Sequence, residues 1–112
     1  MIKVTVYKDS NDHYKGFRCI GYAEYAEPGE DIVCSAVSVL VINTINAIDE
    51  FTSVPYTVDT DEDSGFIDLC LSEDSNDDIY HDAALLLDTM VMGLQSIEET
   101  HSEFIHLEIE EV

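Results

Sequence analysis

A two-layer α/β sandwich of element order ββαββαβ is predicted by three features of these 112 residues. Short alternating apolar segments come in pairs, Ile2–Val6 with Tyr14–Ala23 and Val54–Val58 with Phe66–Leu71. Long stretches starting near Asp31 and Asp78 carry apolar residues at helical spacing. A last alternating segment, Ile105–Ile109, follows. Strand pairs separated by helices place the helices on one face of a mainly antiparallel or mixed sheet.

Each element has its own signal. Ile2, Val4 and Val6 alternate with Lys3, Thr5 and Tyr7, the pattern of a half-buried strand. Ser10-Asn11-Asp12 is a turn cluster, and the short gap to Tyr14 predicts a hairpin. A loop with two breakers, Pro28 and Gly29, follows. From Asp31 onward Val33, Val37, Leu40, Val41, Ile48 and Phe51 recur at helical spacing. β-Branched residues lean towards strand there, but a stretch of about 20 residues without a turn signal is too long for one strand. Asp31 is the expected N-cap. Cys19 and Cys70 fall within strand patterns, where a cysteine is most simply a small buried hydrophobe. The acidic segment Asp59–Gly65 reads as the turn between the third and fourth strands. The second helix is expected over about Asp78–Glu99, with acidic residues at its positive end. One domain, residues 1–112, accounts for this length.

Charge narrows the function. There are 25 Asp plus Glu against 4 Lys plus Arg, a formal net charge of −21. Four cations cannot neutralise the phosphates of a duplex or an RNA helix, so direct nucleic-acid binding and attraction to an anionic membrane are not expected. The field instead attracts basic proteins or peptides. No window resembles a signal peptide, and no apolar run is expected to reach the ~20 residues of a membrane helix. A cytoplasmic location follows, with Cys19, Cys34 and Cys70 reduced.

Metal chemistry finds little support, and no cofactor is expected. Asp59-x-Asp61-x-Asp63 begins like a calcium loop, but its sixth position is Ser64 and its twelfth Cys70. His13, His81, His101 and His106 are scattered, as surface histidines are. Cys34 differs from the other thiols. It falls in the predicted first turn of a helix, where unpaired N–H groups and partial positive charge favour a thiolate and can hold an oxyanion. Glu30 and Asp31 oppose that effect, and a buried core cysteine is the competing reading.

The stretch Gly21-Tyr22-Ala23-Glu24-Tyr25-Ala26-Glu27-Pro28-Gly29-Glu30-Asp31-Ile32-Val33-Cys34-Ser35-Ala36-Val37-Ser38 resembles the signature of the ribosomal-processing cysteine proteases, the Prp family. Their pattern is Gly-His-Ala, a short loop ending in Gly, any residue, Asp, Ile or Val, Val, Cys, two small residues, then Val-Ser. Here the spacing between the dyad positions is kept without a gap. The resemblance implies a cytoplasmic bacterial endopeptidase, usually a homodimer. It implies a substrate as well, the N-terminal extension of the twenty-seventh protein of the large ribosomal subunit, cut close after a Phe-containing hydrophobic motif within a basic sequence. Cys34 matches the nucleophile, and Gly29, Asp31, Ser35 and Ser38 match positions on the substrate side. Tyr22 stands where the family has its histidine. A phenol with a pKa near ~10 is a poor base at pH 7, whereas histidine titrates near ~6.5. The resemblance therefore implies either weakened proteolysis or a non-cleaving, peptide-binding homologue.

Overall fold

The computed structural model describes residues 1–21, 30–61, 63–72 and 77–112. Seven elements follow the expected order: β1 (Ile2–Lys8), β2 (Tyr14–Ile20), α1 (Glu30–Phe51), β3 (Tyr56–Asp61), β4 (Phe66–Leu71), α2 (Asp77–Thr100) and β5 (Ile105–Glu111). The strands form one sheet in the order β3-β4-β2-β1-β5. The hairpins β1–β2 and β3–β4 are antiparallel, and so is the pairing of β2 with β4 between them. β5, reached through α2, runs parallel to β1, as a long crossover permits. The β1–β2 turn is closed by the Asp9 carboxylate, which accepts from the Asn11 and His13 amides at 2.9 and 3.0 Å.

Both helices cover one face of the sheet. Val33, Val37, Val41 and Ile48 of α1, with Leu87, Met90 and Leu94 of α2, are buried against Val4, Val6, Phe17, Cys19, Ile67 and Leu69. Two glycines allow close approach. A Cβ on Gly16 would stand 2.0 Å from the Leu69 carbonyl oxygen of the neighbouring strand. At Gly93 it would stand 2.7 Å from a methyl of Leu40, where α1 and α2 pack together.

Several expectations are corrected. α1 begins at Glu30, so Asp31 lies inside its first turn rather than capping it. β2 ends at Ile20, where Gly21 turns the chain with φ 91°, and the rest of the expected strand, Tyr22 and Ala23, lies outside the described residues. β3 runs over Tyr56–Asp61 rather than Val54–Val58, so Asp59 and Asp61 belong to a strand and the turn is shorter. An outer strand with both faces wet tolerates such residues. Cys70 is exposed rather than buried. Thr5 and Tyr7 are buried although they face away from the helices, because side chains from β4 and β5 close over them: Tyr7 donates to Asp68 at 3.0 Å and Thr5 to Glu108 at 3.3 Å. Finally, the segment Asp31–Phe51 is long and apolar enough to cross a membrane by length and composition. That overturns the expectation of no such run, although one face of the helix is built into the core.

Candidate active site

Helix α1 carries four of the six residues singled out in the sequence. Asp31 and Ser35 are exposed, Ser38 is half-buried and Cys34 is only 8% exposed. The helical period stacks Ser35 one turn after Asp31 and Ser38 one turn after Cys34. Tyr22 and Gly29 lie outside the described residues. Counted from Glu30, Cys34 is the fifth helical residue, one position beyond the expected first turn. It belongs to the buried cluster between helix and sheet. The alternatives left open by the sequence are therefore not exclusive, since a thiol can sit near a helix start and still be largely covered.

Cys34 and Cys19 of β2 approach one another from the two layers. Burial, and then the neighbouring Cys34, push the Cys19 thiol up to about 12. Cys19 thus stays protonated at neutral pH and is a poor nucleophile.

The start of α1 meets one end of the sheet. β2 leaves the sheet at Ile20, which pairs with Phe66 of β4. Asp61 of β3 pairs with the same Phe66. The Gly21 amide donates to the Gly65 carbonyl at 2.9 Å, tying the exit of β2 to the β3–β4 turn. Both glycines have left-handed backbones, φ 91° and 66°, a conformation other residues rarely adopt. The C-terminal end of α2 arrives here too. A cavity of about 350 Å³ is lined by Ile32, Val33 and Ala36 of α1 and by Ser96, Ile97, Thr100 and His101. Sequence reasoning read His101 only as a surface residue. It is exposed, but its place beside the start of α1 comes from the helix–helix packing, which no local pattern reveals.

The third thiol has different surroundings. Cys70 lies on the open face of the sheet in a cavity of about 640 Å³, with Tyr7, Arg18 and Asp68. Burial within that cleft and the Asp68 carboxylate push its thiol up. Arg18 is committed to Asp68, Nε to carboxylate at 3.3 Å. Lys3, Lys8 and Lys15 likewise reach Glu108, Asp12 and Asp9 at 3.1, 3.8 and 3.8 Å. All four Lys and Arg of the chain thus lie on β1 and β2, each beside a carboxylate. Among the described residues, no group of three or more His, Cys, Asp or Glu could hold a metal ion.

Comparison with known proteins identifies this arrangement. The model of the family described as cysteine protease Prp matches residues 1–106. The chain belongs to the Prp family. The ribosomal processing cysteine protease Prp of Bacillus subtilis is 27% identical over 103 residues, covering 92% of each chain. A crystal structure of the ribosomal processing protease Prp of S. aureus in complex with a substrate peptide superposes with a TM-score of 0.88 at 30% identity, covering 98% of this chain and all of that one. A second structure of that protease, with a covalently linked product peptide, gives a TM-score of 0.84 at 31% identity, with the same coverage. The mixed five-stranded sheet with two helices is the Prp fold, and the family is one of cysteine proteases that process ribosomal protein.

Proposed function

We propose that this chain is a cytoplasmic Prp-type cysteine endopeptidase that removes the N-terminal extension of the twenty-seventh protein of the large ribosomal subunit, with its activity lowered by Tyr22. The observation that carries the reading is Cys34, a thiol near the start of α1 in a chain whose structural relatives hold peptides. In the reaction, the Cys34 sulfur attacks the scissile carbonyl carbon, and N–H groups at the helix start receive the developing oxyanion. The amine leaves with a proton, a thioester remains, and water releases the acid. One group must take the thiol proton and return it to the amine, and Tyr22 at the family's histidine position does this poorly at neutral pH. Asp31, Ser35 and Ser38, with Gly29, border the approach of the peptide.

The same reading includes a homodimer. Ile32 and Val39 of α1 are 69% and 68% exposed, and Ile42 of α1 with Leu85 and Met92 of α2 are also exposed. Contiguous apolar surface marks interaction sites, and Ile32, Val39 and Ile42 recur at helical spacing along α1. The second reading, a homologue that holds peptide without cutting it, rests on Tyr22. Incubating the chain with a peptide carrying the ribosomal extension, and weighing the products by mass spectrometry, separates the two. Two fragments with wild type and none with Cys34→Ala support the protease. Intact peptide that nonetheless binds supports the second reading.

A further inference from the structure

The two outer strands of the sheet are not equivalent. On β5, the Leu107 amide points away from β1 and is taken up by the Glu98 carboxylate of α2. β3 is different. The Ser72 amide donates to the Pro55 carbonyl at 2.8 Å, which makes Pro55 and Ser72 a hydrogen-bonded pair. In an antiparallel ladder such pairs alternate, so with this register Thr57/Cys70, Asp59/Asp68 and Asp61/Phe66 are the next bonded pairs. The N–H and C=O groups of Tyr56, Val58 and Thr60 therefore point off the sheet. Every residue from Thr57 to Asp61 is exposed, Val58 at 43%.

Alternation also sorts the side chains. Asp59 and Asp61 stand opposite Asp68 and Phe66, and Val58 stands opposite the buried Leu69. The two carboxylates thus share one face, roughly 7 Å apart at the strand repeat. The strand ends at Asp61, beside the Gly21–Gly65 link at the exit of β2. An unpaired edge recruits another strand, and its charge decides which. A second copy of this chain adding β3 to β3 antiparallel about Thr60 would set Asp59 of each copy against Asp61 of the other, which costs energy. A strand with lysine or arginine at every second position would place cations against them.

We infer that β3 docks an extended, cationic peptide as a sixth strand, through the outward backbone groups of Tyr56, Val58 and Thr60 and the carboxylates of Asp59 and Asp61. Resting on the protease reading, it makes β3 the element that holds the basic part of the substrate while its bond to be cut lies at Cys34. Strand addition leaves a signature that a diffuse acidic surface does not, because only every second peptide amide faces β3.

The test uses the full chain as Cys34→Ala for binding and as wild type for cleavage. The probes are the ribosomal extension peptide and a ten-residue peptide alternating lysine with valine, each also made with single backbone N-methyl groups along its length. Strand addition predicts that N-methylation at alternate positions weakens binding at least about tenfold, with the intervening positions unaffected. Val58→Pro deletes one outward donor and no ladder bond, so KM should rise at least about tenfold with kcat unchanged. Equal loss at all N-methyl positions, or no loss anywhere, overturns the inference, and these probes act on an unaltered edge should Val58→Pro fail to fold. Cleavage by wild type with KM unchanged in a folded Val58→Pro overturns the inference and leaves the protease reading standing. Alternating sensitivity of the lysine–valine peptide, with no cleavage of the extension peptide, has the opposite consequence. If Val58→Pro abolishes a dimer in sedimentation yet binds both peptides normally, the occupant is a second copy and the inference falls.

Discussion

Cys34 and Cys70 lie on opposite sides of the same sheet, and accessibility alone would choose Cys70 over Cys34, the proposed nucleophile. Cys70 is exposed on the open face, yet its thiol is pushed up by burial in the cleft and by Asp68, and Arg18 is already spent on that carboxylate. Cys34 is only 8% exposed, yet it lies near the positive end of a 22-residue helix, next to Cys19 of β2, with Val33 before it bordering the end of α2. A thiol becomes a nucleophile through the electrostatics and donors around it as well as through access. Cys19 completes the contrast: it lies close to Cys34 but is held protonated by burial.

The largest effect expected from this contrast is at Cys34. Cys34→Ala should lower peptide cleavage by at least ~10³-fold, to background, because removing a nucleophile removes the covalent route altogether. Product formation measured by mass spectrometry checks it, and surviving cleavage would transfer the role elsewhere. A smaller effect is expected from salt. With a net charge of −21 and screening over about 10 Å at 0.1 M, binding of the basic peptide should weaken at least about tenfold between roughly 0.05 and 0.5 M salt. Fluorescence polarisation at several salt concentrations reads this directly. A flat profile would assign the acidity to solubility alone.

Next comes stability at alkaline pH, to which both sides of the sheet contribute. Cys19 on the helix side is raised from 9.0 to about 12 by burial and Cys34. Tyr7 on the open side is raised from 10.0 to about 12 by burial and its hydrogen bond to Asp68. Both are neutral in the fold, and both ionise earlier when unfolded. Their stabilisation is therefore complete below pH 9 and is lost as pH rises towards 12, at about 1.4 kcal/mol per pH unit for each group in its own window. Urea midpoints should hold up to pH 8 and fall above pH 9. A midpoint unchanged up to pH 11 would contradict the buried positions of both groups. The smallest effect is expected for Cys70→Ser, which should leave kcat/KM within about twofold of wild type. A large loss would bring the open-face cavity into the reaction.

The element order was legible because alternation and helical periodicity survive in every segment. Ile67, Leu69 and Leu71 fix the parity of β4, so the outward position of Cys70 is legible in the sequence once that alternation is applied to the cysteine itself. β3 was misplaced for a physical reason. Asp59 and Asp61 look like turn residues, and only the knowledge that β3 is outermost explains how they sit in a strand. The burial of Tyr7 depends on Asp68, a partner 61 residues away that no local pattern contains. At the site, the Prp-like stretch gave Cys34 its place at the start of α1. Its depth in the core and the nearness of Cys19 emerge only when the two layers meet.

Tyr22 carries the central claim, and one comparison of four proteins tests it: wild type, Tyr22→His, Cys34→Ala and the double variant. Each is assayed at pH 7 and pH 9 on a fluorogenic peptide carrying the ribosomal extension. A positioned general base contributes about 10²–10⁴-fold, so Tyr22→His should raise cleavage at least about tenfold at pH 7, and neither Cys34→Ala protein should cleave. A folded, peptide-binding Tyr22→His that stays silent would contradict the account and leave a protein that holds its peptide without cutting it.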